Sequence, residues 1–247
     1  MTHILIASPT YDGSVRKEYM QAIMQLTDYF RQSDIGWDIV LEPCTMLHTM
    51  RSVMASKALH DSNVSHLLFV DTDMGFSVSS IIKLIKMEKD IIGCAYPYRT
   101  IPLHLPVTRP STSLRQTISE TVPYAIKFSP GVTTVDVTDG VCEVAAIGTG
   151  LLLISCQALQ TMVERGTVET FRTTFPYNQW YSEATYYGFF DHIKVDGSYI
   201  GEDYSFCHRW ITECQGSIHA LVDAEIMHIG NLPVIGRYMD RLKTGAL

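Results

Sequence analysis

The chain has 247 residues, 46% hydrophobic and 18% charged, enough apolar material for one large domain or two closely fused halves. Its formal net charge is -7, 26 acidic side chains against 19 basic, with no clustered basic face, which argues against a protein that lives on nucleic-acid backbone. A nucleotide-sized ligand stays open, because a bound cation can neutralise its phosphates.

In chain order, His3 to Ser8 is nearly all apolar, the pattern of a strand buried on both faces. Asp12-Gly13-Ser14 supplies cap chemistry for a helix on which Val15, Tyr19, Ala22, Ile23, Leu26 and Phe30 form one stripe. A strand at Trp37 to Leu41, a helix at Met46 to Leu59 and a strand at His66 to Val70 follow. A helix at Ser77 to Met87 and a strand at Asp90 to Tyr96 complete the rhythm. Strands alternating with such helices predict an α/β fold with a mostly parallel central sheet flanked by helices. Residues 97–130, dense in Pro, Ser and Thr, predict a long irregular excursion, either mobile or part of a binding site. Strands are expected again at Thr133 to Val137 and Cys142 to Ile147, with Asp139-Gly140 as a hairpin signal. Leu151 to Ile154 reads as a strand, Gln157 to Glu164 and Asp203 to Cys214 as helices, and Ile218 to Val222 as a final strand.

Six cysteines occur without C-x-x-C spacing, mostly in apolar runs such as Ile92 to Ala95. They read as small buried hydrophobes in a reducing compartment. The chain enters its first strand without a basic leader, and no apolar run approaches the roughly twenty residues that span a bilayer. A soluble cytoplasmic protein with no transmembrane segment is the expectation.

Asp71 and Asp73 flank Thr72 where a buried strand ends, the edge at which open α/β sheets gather ligands. Residues two apart in extended chain project to one side, so both carboxylates can face one Mg2+ or Mn2+ ion. Capping of the next helix is the plainer alternative. Yet two adjacent charges after His66-Leu67-Leu68-Phe69-Val70 are costly without a partner. Glu202 and Asp203 open a helix, either as simple caps or with Asp203 as a general base. Arg51 falls on the stripe of Leu47, Met50, Met54 and Ala58 and therefore needs an anion. Asp71, a phosphate or a structural ion pair would each serve. His228 is a core histidine or a ligand, and Gly148-Thr149-Gly150 a turn or a place of close ligand approach.

Taken together, Asp71-Thr72-Asp73, Gly148-Thr149-Gly150, Gly201-Glu202-Asp203 and His228 resemble, in order, the motifs of the GT-A glycosyltransferase family. Gly93 to Pro97 and Tyr199 to Cys207 look like small viral and bacterial members. The resemblance spans about residues 3–230. It implies one catalytic domain over 1–230, with a nucleotide-binding half at 1–96, a metal and acceptor half at 97–230, and a tail at 231–247. By that similarity Ser8, Pro9, Thr10 and Tyr11 hold the base and ribose of a nucleotide-sugar, UDP-linked by preference or GDP-linked. Asp71 lies near ribose and metal, with Arg51 and Thr72 on the donor side. Asp73 and His228 ligate Mn2+ or Mg2+, and Gly148 to Gly150 border donor sugar and acceptor. Asp203 is the base, Glu202 orients a saccharide or other hydroxyl acceptor, and displacement is inverting. Phe175, Tyr177, Trp180, Tyr181, Tyr186 and Tyr187 offer sugar platforms or core, with core expected for at least half. Two alternatives are a sugar-nucleotide nucleotidyltransferase, which usually carries a glycine- and arginine-rich N-terminal loop, and a non-catalytic carbohydrate-binding protein.

Overall fold

The first strand, β1 (His3–Thr10), is buried from Ile4 to Thr10 and lies near one side of a seven-stranded sheet. The structure, a computed structural model, describes residues 2–100, 113–174, 176–230 and 234–245. After β1 come α1 (Lys17–Arg31), β2 (Gly36–Pro43), α2 (Leu47–His60), β3 (His66–Val70), β4 (Met74–Gly75), α3 (Val78–Lys86) and β5 (Ile91–Cys94). The middle of the chain carries α4 (Leu114–Thr121), β6 (Ile126–Lys127), β7 (Val141–Val144), β8 (Ala146–Ile147), β9 (Leu151–Ser155) and α5 (Cys156–Glu164). Four short strands, β10 (Thr170–Arg172), β11 (Thr185–Tyr187), β12 (Ile193–Val195) and β13 (Ser198–Ile200), form two separate hairpins. The last elements are α6 (Glu202–His208), β14 (Ile218–Leu221), β15 (Ile226–His228), β16 (Val234–Gly236) and α7 (Tyr238–Leu242).

The central order is β2-β1-β3-β9-β5-β14-β7. β1 runs parallel to β2 and β3, and β5 parallel to β14. β9 enters antiparallel between β3 and β5, and β7 closes the far edge antiparallel to β14. This is a mixed α/β sheet with five of seven strands pointing one way, so the carboxyl ends of β1, β3 and β5 share one edge.

Strand periodicity splits the core in two. Leu5, Ala7, Leu67 and Phe69 face Met50, Val53 and Met54 of α2, Leu159 of α5 and Phe206 of α6. Ile4, Ile6, Leu68 and Val70 face Tyr19, Ile23, Leu26 and Phe30 of α1 and Ile81 and Leu84 of α3. Each fully buried large side chain contributes about 1.5–3 kcal/mol, so the sheet is held from both faces.

Several expectations need correction. Asp12-Gly13-Ser14 forms its own turn, with the Ser14 N–H and hydroxyl donating to Asp12, and α1 starts only after Arg16. Thr133 to Val137 is no strand, because the Asp139-Gly140 turn closes with a bridge from Thr138 to Val141 alone. Both turn residues have positive φ, 51° and 73°, as a tight hairpin turn requires. The run Cys142 to Ile147 breaks at Ala145 into strands of two different sheets. The helix begun at Glu202 loosens into a π turn at Arg209–Glu213. The excursion contains α4, while its residues 101–112 lie outside the described residues. The stretch expected as a tail carries β16, which pairs with β15, and α7, whose Tyr238 is buried against Tyr124.

Tyr177 and Tyr181 are buried, and Trp180, Tyr186 and Tyr187 pack against the core, so these five are core; Phe175 lies outside the described residues. The cysteines are free, four buried and two half-buried. Among the described residues no helix is long and apolar enough to cross a membrane.

Candidate functional site

Asp71 and Asp73 sit in the turn between β3 and β4, at the shared edge. The Asp71 N–H donates to the Gly150 carbonyl at 2.9 Å, and the Asp71 carbonyl receives the Met74 N–H at 3.0 Å. The Thr72 carbonyl is taken by the Arg16 N–H at 2.9 Å, tying the turn to the start of α1. The segment is fixed through its backbone, leaving the two carboxylates for side-chain work.

Asp71 faces α2. Arg51 Nη2 donates to both its oxygens, at 2.8 and 3.1 Å, while Arg51 Nη1 donates to Glu202 Oε1 at 2.6 Å. Arg51 is 3% exposed. Burial works against its charge, but Asp71 and then Glu202 outweigh that and strengthen its hold on the proton. The guanidinium thus joins the β3 turn to the start of α6, and the sequence-level alternatives for its anion resolve to two carboxylates.

Asp73 faces the other way. Its Oδ2 receives Arg99 Nη1 at 2.8 Å and lies 3.6 Å from His228 Nε2. His228 ends β15, which pairs with β4 so that His228 stands opposite Met74. Its Nδ1 is 2.7 Å from the Pro97 carbonyl, and a carbonyl only accepts, so Nδ1 donates there and Nε2 is the ring nitrogen turned toward Asp73. Burial pushes the Asp73 carboxyl up, yet His228 and Arg99 together hold it below the usual carboxylate range. Among the described residues no three His, Cys, Asp or Glu side chains converge into a metal cage. The donors present are the Asp73 oxygen and the His228 nitrogen. Two ligands each ~2.1 Å from one ion and 3.6 Å apart subtend roughly 120°, so the pair closes by about 0.6 Å to reach the right angle of an octahedral ion. A carboxylate–imidazole pair that leaves other positions to phosphates fits Mn2+ or Mg2+ without a third protein ligand.

Asp203 occupies the first turn of α6, next to Glu202. Burial, then the neighbouring Glu202 charge, raises its pKa above the ordinary aspartate value, with Arg51 pulling the other way. The Tyr204 N–H donates to its Oδ1 at 2.8 Å. Behind the helix, Phe206 stacks on Phe190 at 4.7 Å and Phe190 meets Phe69 edge-on at 5.3 Å. The start of α6 is thereby located against β3. Buried Ser52 and Ser56 of α2 accept the Phe190 and Tyr187 N–H groups, fixing the approach to it.

Tyr96 was not singled out by sequence reasoning, yet it lies beneath both halves of the site. Its phenol oxygen accepts the Gly150 N–H at 3.1 Å, and its ring meets the His228 ring edge-on at 5.3 Å. A Cβ at Gly148 would collide with the Tyr96 hydroxyl, and one at Gly150 would collide with Met74 Cε and sit 2.9 Å from Tyr96 Cζ. The glycines of this loop make room for Tyr96 and Met74. Between them, Thr149 is buried, and its hydroxyl has no partner among the described residues.

At the end of β1 the outcome is uneven. Ser8, Pro9 and Thr10 are buried; Ser8 accepts the Tyr19 hydroxyl at 2.7 Å and Thr10 Oγ1 accepts the Gly13 N–H at 2.8 Å. Tyr11, 77% exposed, presents its ring to solvent. Arg99, two residues beyond Pro97, was also missed: its pairing with Asp73 spans 26 residues and leaves no local pattern.

A cavity of about 740 Å3 lies away from the aspartates. It lies between Tyr204, His208 and Ile211 on one side and Lys127, Phe128 and Val135 on the other. Tyr204 is its link to the site: it follows Asp203, its hydroxyl is 3.2 Å from that of Tyr98, and Lys127 Nζ lies 4.2 Å above its ring.

No family model and no curated protein matches the chain. Among solved structures, A197 from STIV aligns over 93% of this chain and 86% of that one, at 16% identity and a TM-score of 0.49. A glycosyltransferase involved in the glycosylation of the major capsid of PBCV-1 aligns over 71% and 72%, at 14% identity and a TM-score of 0.35. 4-Diphosphocytidyl-2C-methyl-D-erythritol synthase from Anaerococcus prevotii aligns over 74% and 83%, at 11% identity and a TM-score of 0.34. These likenesses are distant, and the chemistry of the site rests on its own geometry.

Proposed function

We propose that this chain is a glycosyltransferase that moves a sugar from a nucleoside-diphosphate sugar, UDP-linked by preference, to a hydroxyl acceptor with inversion and with a divalent cation. The observation that carries this reading is the pairing of Asp73 with Nε2 of His228 at the strand edge, joined through Asp71, Arg51 and Glu202 to a carboxyl, Asp203, whose burial raises its proton affinity. Asp73 and His228 would hold Mn2+ or Mg2+, which when bound offsets the charge of the leaving diphosphate. Arg51 keeps Asp71 and Glu202 in place around the donor. Asp203 takes the proton of the acceptor hydroxyl as that oxygen attacks the anomeric carbon, and its raised pKa suits a group that must gain a proton. The Thr149 hydroxyl, without a partner among the described residues, is a buried group that a sugar would satisfy. Tyr11 supplies an exposed ring for the base, and the cavity beside Tyr204 gives room for the acceptor.

The test is a thermal-shift panel of UDP- and GDP-sugars with and without Mn2+. A donor at a hundred times its Kd stabilises by about 2.7 kcal/mol. The expected result is a shift that needs metal and nucleotide-sugar together and disappears in Asp73→Ala, along with transfer. Absence of any metal-dependent shift in the unaltered protein, or undiminished turnover in Asp73→Ala, overturns the reading.

A further inference from the structure

We infer that Arg99 is an exchangeable counter-ion for Asp73: it holds the carboxylate while no cation is bound, then releases it and turns to the diphosphate of the nucleotide. The inference rests on the proposed donor site and adds to it a phosphate-binding residue.

Three observations carry it. The oxygen that Arg99 engages, Asp73 Oδ2, is the same one that faces His228 Nε2, so the guanidinium and a cation bound by that pair compete for a single atom. Arg99 is also the free-standing partner. Its side chain is 55% exposed, and among the described residues no second carboxylate holds it, in contrast to Arg51 with two. Finally, its stem is held independently of its head. A Cβ at Gly230 would sit 3.1 Å from Arg99 Cβ, so the glycine after Ile229 lets the aliphatic part lie against the β15 end. The Pro97 carbonyl, two residues before Arg99, is the acceptor for His228 Nδ1. The root of Arg99 is thereby tied to the ligand histidine, apart from the pairing its guanidinium makes with Asp73.

The charges explain why such a group is useful. Asp73 is half-buried, and an ionised carboxylate there without a nearby cation is costly. The positive charge at hydrogen-bond distance from Asp73 Oδ2 is that of Arg99, at 2.8 Å, against 3.6 Å for His228 Nε2. Arg99 supplies it until a cation does. Once displaced, a planar guanidinium beside a metal-bound diphosphate has the geometry to receive two phosphate oxygens at once.

The experiment measures Mn2+ alone and UDP or GDP in the presence of Mn2+, by calorimetry, on the unaltered protein, Arg99→Ala and Arg99→Lys. Removing the competing charge is expected to tighten Mn2+ alone by about tenfold. Removing the guanidinium fork is expected to weaken the Mn2+-dependent nucleotide by about tenfold. Arg99→Lys, a point charge without the fork, should keep Mn2+ near its original affinity and fall between the others for nucleotide. The opposite signs are the signature, because a merely structural ion pair would move both affinities the same way or neither. Binding of both probes by the unaltered protein with no change, or a same-direction change, in Arg99→Ala overturns the role of Arg99 and leaves the donor site standing. Failure of the unaltered protein to bind either probe overturns the donor site and Arg99 with it.

Discussion

Asp71 gives its carboxylate to Arg51, a buried guanidinium that also holds Glu202, whereas Asp73 gives its own to the half-exposed Arg99 with a histidine nitrogen beside it. The two aspartates leave the same strand two residues apart. Their partners sort them into a fixed clamp and an exchangeable pair. A buried ion pair costs desolvation to assemble and much more to break on one side, so it serves as a joint between elements. An exposed pair is screened by water and contributes little, so it can be traded for another partner. Sequence spacing suggested two carboxylates on one cation; the structure gives each a different guanidinium partner.

The largest expected effect breaks the fixed half. Arg51→Met leaves Asp71 and Glu202 without a cation and should lower stability by about 3–5 kcal/mol. Arg99→Met, which leaves Asp73 in partial contact with water, should cost less, about 1–2 kcal/mol. Urea unfolding of the two variants decides it, and equal losses would dissolve the distinction between the halves.

The next effect falls on Asp203, which stands at the clamp but does not share its pairing. Asp203→Asn keeps an oxygen for the Tyr204 N–H and removes the charge. Transfer should fall by about 10²–10⁴, the range of a lost general base. Stability should rise at neutral pH. The sign follows from linkage: a carboxyl whose folded pKa is raised loses stability as pH climbs from the ordinary value near 3.8 through the raised one. Activity carried by the ionised form grows over the upper part of that same window. A Tm for Asp203→Asn below that of the unaltered protein at pH 7 contradicts the burial argument.

The sheet and the site differ in how far they could be read from sequence. His66 to Val70 matched β3 to the residue, because four apolar residues between His66 and Asp71 leave little choice of register. Arg51 could be placed on a buried face by its helical stripe, but its two anions lie 20 and 151 residues away. Nothing local names them. β15, β16 and α7 were missed because segments of three to five residues are too short to show a period. Tyr96 and Arg99 were missed for a different reason: their work is defined by what crosses above them, Gly148 to Gly150 for one and Asp73 for the other.

That dependence of Gly148 on Tyr96 yields the smallest effect and the sharpest test of what the loop is for. Gly148→Ala places a methyl group on the Tyr96 hydroxyl, 2.9 Å from Cζ and 3.1 Å from Ala125 Cβ, and should cost about 1–3 kcal/mol through overpacking. Tyr96→Phe alone leaves the Gly150 N–H unpaired, at about 1–3 kcal/mol. In the double variant the missing hydroxyl makes part of the room the methyl needs, while the ring carbon and Ala125 stay close. The two costs should therefore sum to more than the double variant loses, a favourable coupling read from a double-mutant cycle in urea. If the glycine is there for a ligand instead, Gly148→Ala raises the donor KM without loss of stability, and removing the phenol hydroxyl restores nothing.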